Sequence, residues 1–162
     1  MNVSLVLLIA LGIGFVSGLR AFTPLALVSW LAVWGWIPLG DSRLAFLGTT
    51  TGAVIVTILA LVELIGDKWP RTPSRTTAAP LGARVITGAM SATAICLAAG
   101  QPWLLGIFSG AIGAVGGAFG GYHARRFLNK RLRLPDFIVA LLEDFVTFAG
   151  TLLLFDTLFM KH

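Results

Sequence analysis

Charge is scarce in this sequence. Only 12% of its 162 residues are Asp, Glu, Lys or Arg, about half the ~25% of an ordinary soluble domain. With 57% hydrophobic residues and a mean hydropathy of +0.90, the shortage excludes a water-soluble globule. A single cysteine, Cys96, excludes an intrachain disulfide and a cysteine metal centre; set in an apolar run, it reads as a small packed residue. Of the two histidines, His123 stands alone in a basic segment and His162 is terminal. Neither has the neighbours that a catalytic or metal-bound imidazole requires, and no metal site is expected. Basic leader residues are also missing: Met1 and Asn2 run straight into apolar sequence that continues further, so a cleaved signal peptide is not expected. An integral membrane chain remains, a single transmembrane domain over residues 1–162 with no room for a separate soluble unit.

Twelve bases against seven acids give a net charge of +5 and a pI near 10.4. In a membrane chain this excess is what cytoplasmic loops supply, so no nucleic-acid partner is expected. The apolar run at 4–37 is too long for one span of ~20 residues, and it is interrupted at Gly18, Arg20 and Pro24. Two short helices with a turn near Arg20 are predicted, the alternative being one long helix broken there. A loop follows at 36–44, a helix at 45–65, another at 82–100, a turn at 101–103, and a fifth helix at 103–121. Residues 122–134 read as a basic loop, after which Pro135 and Asp136 open a sixth helix to about 158. The expected fold is therefore all-α, a polytopic transmembrane bundle of about six helices.

Ten of the twelve bases fall at Arg20, within 68–84, or within 125–133, leaving Arg43 and Lys161 at the other side. The first set is assigned to the cytoplasm, with Trp34, Trp36 and Trp103 at the outer interface and Trp69 at the inner one. Six helices place both termini outside. The basic amphipathic segment 122–134 is expected to lie on anionic lipids of the inner leaflet, which with the bilayer are the partners implied.

The stretch Glu63 to Arg75, ELIGDKWPRTPSR, ends a hydrophobic run with two acids, bases that include Lys68 and Arg75, and the helix-stopping Pro70 and Pro73. Ionisable residues at a membrane edge mark a functional site by default. Glu63 and Asp67 also close a stripe of small or polar residues, Thr49, Ala53, Val56 and Ala60, whose spacing puts it on one helix face turned toward protein. In the last helix Glu143, Thr147 and Thr151 recur every fourth residue, with Asp144 beside them; Glu143 lies ~12 Å from Pro135 along the axis.

Arg20 with Thr23 and Arg84 with Thr87 each put a base and a hydroxyl three residues apart near a helix N-terminus, a setting that attracts phosphate or carboxylate. The competing reading pairs both arginines with Glu63, Asp67, Glu143 or Asp144 to hold the bundle together. The segments 18–23 and 82–87, and 60–63 and 140–143, match in spacing, a weak internal repeat. Gly106, Gly110, Gly113, Gly117 and Gly121 form a ridge for close helix packing, within the chain or between copies of a homo-oligomer.

GLRAFTPL at 18–25, ELIGDKWPRTPSRT at 63–76, GARVITGA at 82–89 and GAIGAVGGAFGGYHARR at 110–126 resemble the family called domain of unknown function 4126, small multi-pass membrane proteins of bacteria. The resemblance implies a bacterial inner-membrane protein and brings no assigned activity, catalytic residue or cofactor. From the residues, two classes of function follow. One is a small permease for an anionic molecule or lipid headgroup, met by Arg20 and Arg84 while Glu63 or Glu143 exchanges a proton. The other is an intramembrane lipid phosphate or diphosphate hydrolase, since ELIGD and PSRTT are similar to motifs of undecaprenyl-diphosphate phosphatases, though without that family's glycine before the serine or its second glutamate. A structural protein whose charges tie helices together is the third reading. The permease is favoured because the polar stripes run along helices, as a path requires.

Overall fold

The computed structural model of the chain describes residues 2–40, 42–66, 77–131 and 135–159. Within them lie six α-helices and no strand: α1 (Val3–Leu19), α2 (Phe22–Val33), α3 (Thr50–Gly66), α4 (Ala78–Ala98), α5 (Trp103–Arg131) and α6 (Asp136–Phe159), with a 3-10 turn at Ala45–Gly48. The all-α bundle is thus as expected. α4, α5 and α6 are long and apolar enough to cross a membrane, and α1, α2 and α3 are shorter apolar helices; these are the helices of a membrane protein.

The chain turns where Gly18, Arg20 and Pro24 interrupt the first apolar run. Arg20 leaves the helical region (φ −135°, ψ 119°) as the C-cap of α1, its N–H still donating to the Val16 carbonyl at 3.1 Å. Pro24 sits in the first turn of α2, where its missing N–H costs nothing. α2 then runs back along α1: Trp36, just beyond α2, stacks on Phe155 of α6 with ring centroids 5.7 Å apart, and the neighbouring Leu154 faces Gly12 of α1. The two-helix arrangement is the one formed.

At the centre, α1, α4 and α5 meet backbone to backbone. A methyl at Gly18 would lie 2.6 Å from the Ala118 amide nitrogen and 2.7 Å from the Gly117 Cα, closer than atoms can approach. Gly106 and Gly110 face α4 in the same way, and Gly113 and Gly117 face α1. The glycine ridge of α5 is therefore used inside the chain, where small residues let backbones touch and exchange dispersion contacts that lipid tails would otherwise provide.

α3 packs only on α2 and the 3-10 turn among the described elements. Its buried residues are Ala53, Val56 and Ala60, the small stripe expected from the spacing. Trp30 of α2 donates its indole N–H to Thr57 at 3.0 Å, satisfying a polar group that would otherwise face hydrocarbon.

Three boundaries differ from expectation. α3 begins at Thr50 instead of 45, because Thr49 accepts the Gly52 N–H at 3.0 Å and caps the helix there. α4 begins at Ala78 instead of 82, with extended Thr77 as N-cap and Pro80 in the first turn. The basic segment expected as a loop at 122–134 is helical to Arg131. No glycine or proline interrupts 122–131, and bases in the last turn suit the negative end of the helix dipole. Trp34, Trp36 and Trp103 are all about half exposed or more and lie where α2 ends and α5 begins. Trp69 lies outside the described residues.

Candidate functional site

The charged residues gather at the end of the bundle where α1, α3 and α5 finish and α2, α4 and α6 start. Glu63, three residues before the end of α3, reaches across to the start of α2. Its Oε1 accepts the Ala21 N–H at 2.8 Å and its Oε2 the Phe22 N–H at 3.0 Å. These are two of the donors a helix start leaves without an intrahelical partner, and the positive end of the dipole adds to their attraction for a carboxylate. Arg84 brings Nη2 to 3.6 Å from the same Oε1. One carboxylate thus sits in a cradle of two backbone N–H groups and a guanidinium. The hydroxyl of Thr23, in the first turn of α2, is buried and makes no hydrogen bond among the described residues.

Beside it, Arg20 is completely buried and holds Asp144 of α6 through Nε at 2.6 Å, while the Asp144 side chain keeps 24% of its surface exposed. A third contact joins Arg125 of α5 to Glu143 of α6 at 3.7 Å. Glu143, Thr147 and Thr151 are buried together on one face of α6, as their four-residue spacing predicts. Thr151 donates to the Thr147 carbonyl at 2.8 Å, whereas the buried Thr147 hydroxyl has no hydrogen-bond partner among the described residues. Taking a guanidinium out of water costs several kcal/mol after relaxation, so the burial of Arg20 and Arg84 depends on these acids.

Of the residues singled out in the sequence, Arg20, Thr23, Glu63, Arg84, Glu143 and Asp144 share this end. Asp67, Lys68 and Arg75 lie outside the described residues. Arg84 and Thr87 do not stand at a helix N-terminus: α4 starts at Ala78, which places Arg84 in its second turn. Thr87 also spends its hydroxyl on its own helix, donating to the Ala83 carbonyl at 2.9 Å. The two segments matched as a repeat differ in backbone, since Arg20 is an extended C-cap and Arg84 is mid-helix.

Two features escaped the sequence reading. The backbone donors at Ala21 and Phe22 carry no sequence signature. Arg125 did carry one, because it follows Gly113, Gly117 and Gly121 at intervals of four and so continues their buried face once α5 extends past 121. The described residues contain no group of three or more His, Cys, Asp or Glu able to hold a metal ion.

A family model described as "Domain of unknown function (DUF4126)" matches residues 7–157. No curated protein matches the chain, and no solved structure does.

Proposed function

Given that the chain belongs to the DUF4126 family, whose description assigns no activity, we propose that it is a small permease that carries an anionic solute together with protons. The observation that carries this reading is the cradle at the start of α2, an anion site filled by the chain's own Glu63. A broken helix whose half-helix N-terminus points at an anionic group is how many secondary transporters hold substrate. When Glu63 takes up a proton its carboxyl becomes a weaker acceptor. The Ala21 and Phe22 N–H groups, the Thr23 hydroxyl and Arg84 then present themselves to a carboxylate or phosphate from solution. Loss of that proton restores the Glu63 contacts and expels the anion. Binding of solute and of a proton are thereby coupled at one set of donors. Arg20 with Asp144, and Arg125 with Glu143, place further charge beside the same opening.

In this reading the protein is a multi-pass protein of the bacterial inner membrane with its charged end in the cytoplasm, an orientation supported by Arg20, Arg84 and Arg125 at that end. A cysteine placed at position 126 is expected to resist an impermeant thiol reagent in intact cells and to react after permeabilisation; labelling in intact cells would reverse the orientation.

Proteoliposomes test the transport itself. With inorganic phosphate or sulfate as the imposed gradient, the wild-type protein is expected to move protons with the anion. Glu63→Gln, which keeps the shape of the side chain and one acceptor oxygen but cannot release a proton, is expected to lower that flux at least about tenfold while the protein still folds and inserts. Glu63→Gln running at the wild-type rate would remove the proposal. A second reading, in which the charges only fasten helices together, is favoured by the short Arg20–Asp144 contact, and the stability of variants at that pair distinguishes the two.

A further inference from the structure

A cleft of about 520 Å³ opens between α4 and α5, running from Ile86, two residues past Arg84, toward the segment that carries Arg43. Its walls include Ile86, Met90 and Leu97 of α4 and Trp103 of α5, all apolar, with Arg43 at its mouth and Thr93 in its floor. Ile86 to Leu97 is eleven residues, or ~16 Å of helix at 1.5 Å per residue. That is the depth of one leaflet, half of a hydrocarbon core of ~30 Å. Ile86 is 61% and Trp103 47% exposed, so the cleft faces outward, toward lipid.

Two polar groups set this cleft apart from an ordinary lipid-facing surface. Arg43 is exposed, lies 5.9 Å from the centre of the Trp103 ring, and has no carboxylate within ion-pair distance among the described residues. A guanidinium backed by an indole at the membrane interface is arranged for a bidentate contact with phosphate. The second group is Thr93. Ser17, Thr57, Thr87, Ser91, Ser109 and Thr151 all donate to the carbonyl one turn earlier in their own helices. Thr93 does not: it is 7% exposed and its hydroxyl has no hydrogen-bond partner among the described residues. It lies five residues before the end of α4, ~7.5 Å below the helix end, the level at which an ester carbonyl hangs beneath a phosphate.

We propose that this cleft is a binding site for one anionic glycerophospholipid, with an acyl chain along Ile86, Met90 and Leu97, an ester carbonyl at Thr93 and the phosphate at Arg43. The site is separate from the charged end and does not depend on the transport reading. A net negative headgroup is selected because, among the described residues, the only formal charge lining the cleft is that of Arg43.

Native mass spectrometry of the full chain in detergent, with phosphatidylglycerol and phosphatidylcholine in competition, tests the site. The wild-type protein is expected to retain one phosphatidylglycerol in preference to phosphatidylcholine by about tenfold, because both carry the phosphate that Arg43 contacts but only phosphatidylcholine brings a cation beside the guanidinium. Arg43→Gln, at an exposed residue whose loss leaves the fold alone, is expected to erase the preference while both lipids still bind. Met90→Trp fills the acyl slot and is expected to lower retention of both lipids. A preference that survives Arg43→Gln, or full retention in Met90→Trp, overturns the proposal. So does a dimer that sheds phosphatidylglycerol as it forms, since a second copy would then occupy the cleft.

Discussion

Arg20→Met is expected to destabilise the protein by about 3–5 kcal/mol, the loss typical when one partner of a buried ion pair is removed. Arg20 has no exposed surface and is the largest of the fully buried side chains, and its partner Asp144 is anchored at 2.6 Å. Taking the guanidinium away leaves the Asp144 carboxylate, three-quarters buried, without that partner. The double variant Arg20→Met with Asp144→Leu fills the same space with apolar atoms and is expected to recover most of the loss, because well-packed hydrophobic residues replace buried ion pairs at little cost. Chemical unfolding of the three proteins in the same detergent measures the differences. A single variant within about 1 kcal/mol of wild type would mean that water reaches Arg20 and carries its charge.

Glu63→Ala is expected to show a different pattern, destabilised by about 2–4 kcal/mol and restored by a small anion. The substitution removes the acceptor from two N–H donors at the start of α2, each worth about 1–3 kcal/mol when left unsatisfied. Formate is the carboxyl group of Glu63 without its stem, and it fits the space the truncation opens. Thermal unfolding with and without added formate gives the answer. Recovery in Glu63→Ala with no effect on the wild-type protein indicates a site that accepts a free oxyanion. Equal effects of formate on both proteins would show that the cradle takes only its own side chain.

The helices were legible because hydrophobic length and its interruptions are local properties. Gly18, Arg20 and Pro24 marked the turn between α1 and α2, and the spacing of Ala53, Val56 and Ala60 marked the buried face of α3. The end of α5 was not legible for an equally physical reason. A run of bases reads as a loop by composition, yet nothing in residues 122–131 prevents a helix, and composition alone does not show whether one continues. The start of α4 was hidden by Pro80, which stops a helix from its interior but is welcome in a first turn.

The candidate site was legible as a list and not as a set of pairs. Arg20 and Arg84 each had four acids to choose from in the sequence. The choice of Asp144 by Arg20 and Glu63 by Arg84 depends on α6 lying beside α1 and on α2 packing against both α3 and α4. Those are relations among helices distant in sequence, on which spacing within one helix is silent. The anion cradle was hidden more deeply, because half of its donors belong to the backbone, which every residue has.

The contact of α1, α4 and α5 through bare backbone has a mechanical consequence. Three helices joined by side chains can slide, since rotamers exchange and the packing re-forms. Helices joined through Gly14, Gly18, Gly88, Gly106, Gly110 and Gly117 have no such compliance, and a shift of one turn would drive a larger residue into the neighbouring main chain. In the permease reading proposed above, the trio is the stator. Movement in that reading falls to the parts that meet this trio partly through polar contacts: the α2–α3 hairpin, held by Glu63, and α6, held by Asp144 and Glu143.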